Sequence, residues 1–210
     1  MRIIAGRFRG KKIHSPDDDT IRPTSDRVRE ALFSILASRL PAGFADIKVL
    51  DLFAGTGALG LEALSRGAQL AAFVDIGVQA RGIIRSNIEL FGVGGQSKLL
   101  KRDAIDLGTA QKFLPFNLVF IDPPYGQGLA EKALISANRG NWIAPGALIV
   151  IEESRKWELG ISQDDDPRDD DPRDEYPRDD NLQDFELVDR RDYGQSSISI
   201  LTKKALTAPE

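Results

Sequence analysis

Five short apolar runs recur along the chain: KVLDLF (48–53), LAAFVD (70–75), KLLKRD (98–103), NLVFID (117–122) and ALIVIE (147–152). Several are rich in β-branched or aromatic residues. Continuous runs of this length suit strands buried on both faces, as in a parallel sheet. The segments between them carry a different period. ALGLEALSRG places Leu59, Ala63 and Leu64 on one face and ends at Gly67, which suits a left-handed cap. VQARGIIRSNIELFG places Ile83, Ile84, Ile88 and Phe91 at helical spacing. Upstream, TSDRVREALFSILASRL predicts a helix with Ser25 as N-cap and a buried stripe of Val28, Leu32, Ile35 and Leu36. At the far end, FELVDRRDYG and SSISILTKK read as a hairpin. The pattern predicts an α/β fold: a doubly wound, mostly parallel, seven-stranded sheet with right-handed crossovers and a terminal antiparallel hairpin.

Composition narrows the picture. The 210 residues suit one domain, 1–210, and contain no cysteine and a single histidine, His14. Disulfides and thiolate metal sites are excluded, and a His-based zinc site or Ser-His triad is disfavoured, so no metal is expected. No apolar stretch approaches a membrane span, and MRIIAGRFRGKK lacks the apolar region of a signal peptide. A cytoplasmic protein is expected. The net charge of −4 hides an asymmetry. Residues 164–180, DDDPRDDDPRDEYPRDD, hold ten acids and three arginines, a net of −7, which leaves +3 on the rest. This five-residue repeat has a proline in every unit and almost nothing apolar, so it reads as an acidic low-complexity insertion with no fixed structure. Residues 1–24 read as a basic N-terminal extension. Arg2, Arg7, Arg9, Lys11 and Lys12 fall in its first half with no acid among them, which suits a polyanionic partner.

DLFAGTGALG (51–60) follows the first strand and opens a helix. Gly55 and Gly57 let backbone approach a ligand, and the helix N-terminus offers free N–H groups. Asp75, ending the next strand, is placed to accept hydrogen bonds from ribose hydroxyls. A third fingerprint glycine falls at Gly60, which keeps a nicotinamide cofactor open. Asp51 weighs against it, because a carboxylate in the pocket suits a cation better than a pyrophosphate. Asp103, after the third strand, is placed to accept from an adenine amine. The fourth run ends in VFIDPPYG (119–126). Proline fixes φ and donates no hydrogen bond, so Pro-Pro stops a strand abruptly. Asp122 therefore stands on a rigid elbow at the ligand edge of the sheet, with an aromatic ring following.

Asp51-Leu52-Phe53-Ala54-Gly55-Thr56-Gly57 resembles the first motif of class I S-adenosylmethionine-dependent methyltransferases. Asp122-Pro123-Pro124-Tyr125 resembles the (D/N)-P-P-(Y/F) motif of enzymes that methylate planar amino nitrogens. The ordered set MRIIAGRFRGKK, IRPTSDRVREALFSIL, DLFAGTGALGLEALSRGA and IDPPY is similar in order and spacing to the RsmD family, which methylates guanine N2 in 16S ribosomal RNA. The resemblance covers most of residues 1–151 and, more loosely, the final hairpin. It implies a Rossmann-like methyltransferase fold and S-adenosylmethionine as cofactor. It implies 16S rRNA, or the assembling small ribosomal subunit, as partner of a monomeric protein. Asp51, Phe53, Ala54, Gly55, Thr56, Gly57, Asp75, Asp103 and Ala104 would then hold the cofactor. Asp122 and the Pro123 carbonyl would accept from the two N–H bonds of a poorly nucleophilic exocyclic amine. Pro124 would stiffen the elbow, and Tyr125 would offer a stacking face worth about 1–3 kcal/mol. Arg22 and Thr24 would lie near the pocket, and Arg7, Arg9 and Lys11 would meet RNA phosphates.

Two departures stand out. Asp75 occupies a position where the family usually has glutamate, and the acidic repeat has no counterpart. Rival readings are a DNA amino-methyltransferase, a methyltransferase for protein glutamine or a small molecule, and a non-catalytic RNA-binding module. The first normally needs a recognition domain for which little chain is spare, and the last leaves Asp51 and Asp122 without purpose.

Overall fold

Each apolar run becomes a strand, and all of them join one sheet. The computed structural model describes residues 1–15, 26–110, 115–160 and 182–205. In chain order the elements are α1 (Asp26–Arg39), β1 (Lys48–Leu52), α2 (Ala58–Ser65), β2 (Leu70–Val74), α3 (Val78–Phe91), β3 (Ser97–Leu100), β4 (Phe116–Ile121), α4 (Leu129–Arg139), β5 (Ile143–Ser154), β6 (Phe185–Tyr193) and β7 (Ser196–Lys203). The strand order is β3-β2-β1-β4-β5-β7-β6. The first five in space are parallel, with Leu50 beside both Ala72 and Val119. β7 runs antiparallel between β5 and β6, with Ile151 opposite Ser199. The order reverses between β1 and β4, and ligands of open α/β sheets bind at the carboxyl ends of strands at such a point.

Strand residues alternate between two apolar layers, which is why the runs read as continuous. Val49, Leu118 and Phe120 face a layer with α1, α2 and α3; Leu50, Leu52, Val119 and Ile121 face a layer with α4 and Trp142. Trp142 is fully buried, as a packing role requires, and its Nε1–H donates to the Gly108 carbonyl at 2.7 Å.

Three features differ from the sequence expectation. No helix occurs among the described residues between β3 and β4, residues 101–110 and 115. The buried face of α1 is Arg29, Leu32, Phe33 and Leu36, with Val28 and Ile35 at its margin. Arg29 turns inward because its Nη2 donates to the Arg2 carbonyl and to Asp26. The third difference is α2, which is buried on every side from Leu59 to Ser65. Residues 1–15 cover it. This arm folds back on itself through Ile3 N–H to the Lys11 carbonyl (3.0 Å) and Ile13 N–H to the Met1 carbonyl (3.2 Å). Ile3 and Ile13 enter the α1–α3 layer. Glu62, wholly buried, accepts from the Ile4 and Ala5 N–H groups at 2.7 and 3.0 Å. Gly6 lies so close to the Ser65 carbonyl that a Cβ would overlap it. Ser25, Arg22, Thr24 and the repeat 164–180 lie outside the described residues. Among the described residues no helix is long and apolar enough to cross a membrane.

Candidate active site at the carboxyl edge of the sheet

Parallel strands put their carboxyl ends on one edge, so Asp51, Asp75, Asp103 and Asp122 are gathered there by topology. The glycine loop leaves β1 through an uncommon backbone. Phe53, Gly55 and Gly57 all have positive φ, at 58°, 56° and 77°. For a phenylalanine this left-handed state costs about 1–3 kcal/mol, which the surroundings must offset. Two bonds do part of that: Ala54 N–H donates to the Val74 carbonyl at 3.1 Å, and Gly57 N–H to the Ala54 carbonyl at 2.6 Å.

Asp51 is only 2% exposed. Its Oδ2 accepts the Gly60 N–H at 3.0 Å. Burial pushes its carboxyl up to about 7; the Gly60 bond opposes the rise and the charge of Asp75 adds to it. Gly60 is required by shape, because a Cβ there would press into the Phe73 ring and lie 3.1 Å from Asp51 Oδ2. In the sequence this glycine reads only as part of a dinucleotide fingerprint. Asp75 Oδ2 accepts from Gly55 N–H at 2.9 Å and Oδ1 from Gly77 N–H at 2.7 Å. The carboxylate therefore holds the glycine loop as well as facing the edge. Thr56 and Ala54 are both buried, with the Thr56 carbonyl accepting from Asn87 Nδ2 at 2.9 Å. Asp103 closes a local turn, its Oδ1 accepting from Ile105 N–H at 3.1 Å, with Ala104 buried beneath. Ile76 is 63% exposed and directly follows Asp75, while Ile105 is exposed on the neighbouring turn. Neither stands out in the sequence as part of a site. For Ile76 the one signal there is an apolar residue straight after the strand-ending acid.

The Asp-Pro-Pro-Tyr loop leaves β4 beside the glycine loop, since Leu52 and Ile121 are register partners. Asp122 is partly exposed, Pro123 buried, Pro124 exposed and Tyr125 half-buried. The Tyr125 hydroxyl donates to Glu152 Oε1 at 2.8 Å. Burial, then the adjacent Glu152 charge, raises the phenol above its ordinary range, so it stays a donor. Gly126, at φ 74°, gives its N–H to Glu153 Oε1 at 3.1 Å. Two successive acids on β5 thus anchor the loop after the elbow. Glu153 is fully buried, and its Oε2 has no hydrogen-bond partner among the described residues. Sequence reading misses both acids; ALIVIEES, an apolar run closed by carboxylates, carries the same signal as LAAFVD and NLVFID.

On the arm, Arg7, Arg9 and Lys11 are exposed. The Arg7 guanidinium lies 4.6 Å from the Phe8 ring centre and the Lys11 ammonium 5.2 Å. They form a basic surface with an aromatic base, set against α2 and α3 away from the acids of the edge. Lys203 donates to the Ile143 carbonyl at 3.1 Å, and burial lowers its pKa. Among the described residues no group of three or more His, Cys, Asp or Glu side chains is placed to hold a metal ion.

Comparison with known proteins places these features in a family. Residues 1–164 match the family model described as Conserved hypothetical protein 95. Ribosomal RNA small subunit methyltransferase D of Escherichia coli K12 is 40% identical over 152 residues, 72% of this chain and 74% of that protein. The protein of the same name from Haemophilus influenzae is 35% identical, over 74% of this chain and 79% of its own. Among solved structures, the candidate methyltransferase yhhF of Escherichia coli matches 98% of both chains with a TM-score of 0.74 and 31% identity. A hypothetical protein of Thermus thermophilus matches 95% of this chain and 98% of its own, with a TM-score of 0.68 and 25% identity. The chain belongs to the Conserved hypothetical protein 95 family, the family of the ribosomal RNA small subunit methyltransferase D proteins.

Proposed function

We propose that the protein transfers a methyl group from S-adenosylmethionine to the exocyclic N2 of a guanine in small-subunit ribosomal RNA. One observation carries this reading: the Asp122 loop and the glycine loop leave adjacent strands, β4 and β1, at the switch point of the sheet. Family membership supports rRNA as the methylated class.

The residues present fit the cofactor. Asp51, buried and poised near neutrality, suits an ammonium group, and Gly60 leaves the room that carboxylate needs. Asp75 keeps lone pairs for ribose hydroxyls, and Ile76 and Ile105 offer apolar surface for an adenine beside Asp103 and Ala104. Phe53 to Gly57 form the floor of this pocket. When bound, the cofactor supplies an electrophilic methyl group on a sulfonium.

The chain's own residues orient the acceptor. A guanine amine is a weak nucleophile because its lone pair is delocalised into the ring. Asp122 and the Pro123 carbonyl accept its two N–H bonds and turn the lone pair toward the donor. Pro124 fixes the elbow so that both acceptors keep their separation, and proximity supplies most of the rate. Tyr125, tethered by Glu152, presents its ring to the base, which must be unpaired or drawn out of its stack. Arg7, Arg9 and Lys11, with Arg22 and Thr24, hold the RNA. The protein acts in this reading as a metal-free cytoplasmic monomer.

The test is methyl transfer with labelled cofactor onto unmethylated 16S rRNA, assembled small subunits and DNA. Incorporation at guanine N2 of rRNA or subunits is expected. Incorporation into DNA alone, or none into any nucleic acid, would overturn the reading.

A further inference from the structure

We propose that Asn87 couples the arm that meets RNA to the loop that holds the cofactor, so that each ligand tightens binding of the other. The inference rests on the functional reading above and goes beyond it to a residue outside both motifs.

Asn87 lies on α3 in the apolar stripe with Ala80, Ile84 and Phe91, and it is completely buried. An amide has two N–H donors and one acceptor oxygen, and this one spends all three groups on backbone. Its Oδ1 accepts the His14 N–H at 2.8 Å, and its Nδ2 donates to the His14 carbonyl at 3.0 Å and to the Thr56 carbonyl at 2.9 Å. His14 belongs to the arm, three residues after Lys11 and eight before Arg22. Thr56 lies between the two glycines of the loop. The loop is thereby held from both sides, by Asp75 on Gly55 N–H and by Asn87 on the Thr56 carbonyl. The first half of the arm is fixed independently: Ser65 Oγ donates to the Ala5 carbonyl at 2.6 Å and accepts from Phe8 N–H at 3.0 Å. In the chain His14 lies between this fixed half and Arg22 and Thr24, which the functional reading also gives to RNA.

This arrangement leaves His14 few choices when the arm engages RNA. Leaving Asn87 behind would strand buried polar groups without partners, which is strongly disfavoured. Moving with Asn87 displaces the Thr56 carbonyl, and with it the loop. A conformation of His14 favoured by RNA is therefore a conformation of the loop. Coupling between two binding equilibria is reciprocal, so the same factor applies in both directions. An amide that only glued the fold together would weaken both ligands without changing their mutual effect.

The test uses the full chain, S-adenosylhomocysteine as a non-reacting cofactor probe, and unmethylated 16S rRNA, with assembled small subunits as a second arm. Cofactor affinity is measured with and without saturating RNA, and RNA affinity with and without saturating probe. The wild type should show a ratio of about 10 in each direction, within the usual 5- to 150-fold range. In Asn87→Ala the ratio should fall to near 1. His14→Pro, which removes the His14 N–H and keeps its carbonyl, should lower it partway and decides the matter if Asn87→Ala does not fold by thermal melt. A wild-type ratio of 1, with both ligands bound, overturns the coupling alone. So do variants that keep the wild-type ratio. Failure of either ligand to bind the wild type removes the functional reading and the coupling together.

Discussion

A carboxylate at the end of a parallel strand can serve a cation, a hydroxyl or an amine, and its surroundings decide which. Asp122 is partly exposed on a rigid elbow, whereas Asp51 is sealed behind the Gly60 N–H. Asp122→Ala should lower methyl transfer by more than about a hundredfold, the scale of lost positioning, with cofactor affinity nearly intact. Calorimetry showing affinity lost to the same degree as rate would assign Asp122 to the cofactor instead. Asp51 yields a prediction with a sign. Its folded pKa is raised to about 7, so the folded state binds this proton more tightly than the unfolded chain. The stability it contributes is present below the ordinary carboxyl range and is lost as pH rises toward 7, at up to about 1.4 kcal/mol per pH unit. Melting of the free protein between pH 5 and 8 should show this fall, and Asp51→Asn should flatten it. Cofactor affinity should run the other way, rising through about pH 7 as Asp51 ionises to meet an ammonium, and lose that rise in the variant. Parallel melting curves for the two proteins would place the titration elsewhere.

At the scale of elements, the strands were legible because burial on both faces leaves continuous apolar runs, and their ends marked where the acids gather. The Pro-Pro elbow and the glycine loop were legible because each needs residue types that sequence names directly. The arm was legible only by half. Its cations read as a basic extension, yet Ile3 and Ile13 are too sparse to announce a core contribution. What docks the arm is long-range: Glu62 is 58 residues from Ile4, and Asn87 is 73 from His14. No local period encodes such a bond, and a lone polar residue in an apolar helical stripe is its single trace. Arg29, which displaces Val28 from the buried face of α1, left the same trace. Replacing Arg7, Arg9 and Lys11 with alanine should weaken RNA binding. For each phosphate no longer neutralised, the salt dependence should flatten by about 0.9 on a duplex, or about 0.7 on a single strand. The two cation–ring contacts with Phe8 predict a modest loss of stability besides, about 0.5–1 kcal/mol each at exposed sites. An unchanged salt slope would put the RNA surface on another face.

Over the whole molecule, charge is divided between a chain body of +3 and a repeat of −7. In the sequence the repeat lies between β5 and β6, and the closure entropy of a loop grows slowly with its length, about 0.6 kcal/mol per doubling. Replacing residues 164–180 with a short Gly-Ser linker should leave folding and cofactor affinity unchanged. It should keep or raise RNA affinity at low salt, with the difference vanishing as salt is added. Loss of methyl transfer at every salt concentration would give the acids a specific task. The same connection sets a schedule. The arm, the glycine loop and β1 to β4 are all complete by Ile121, so the half built around the glycine loop can assemble early in synthesis. The outer edge of β5 receives its partner only when Ser196–Thr202 emerges, and Glu152 and Glu153, which anchor the second loop, sit on that edge. For an interval on the order of seconds the growing chain carries an unpaired strand edge. A chain halted before β7 would therefore hold its glycine loop ready, an unfinished Asp-Pro-Pro-Tyr loop, and an edge open to other chains.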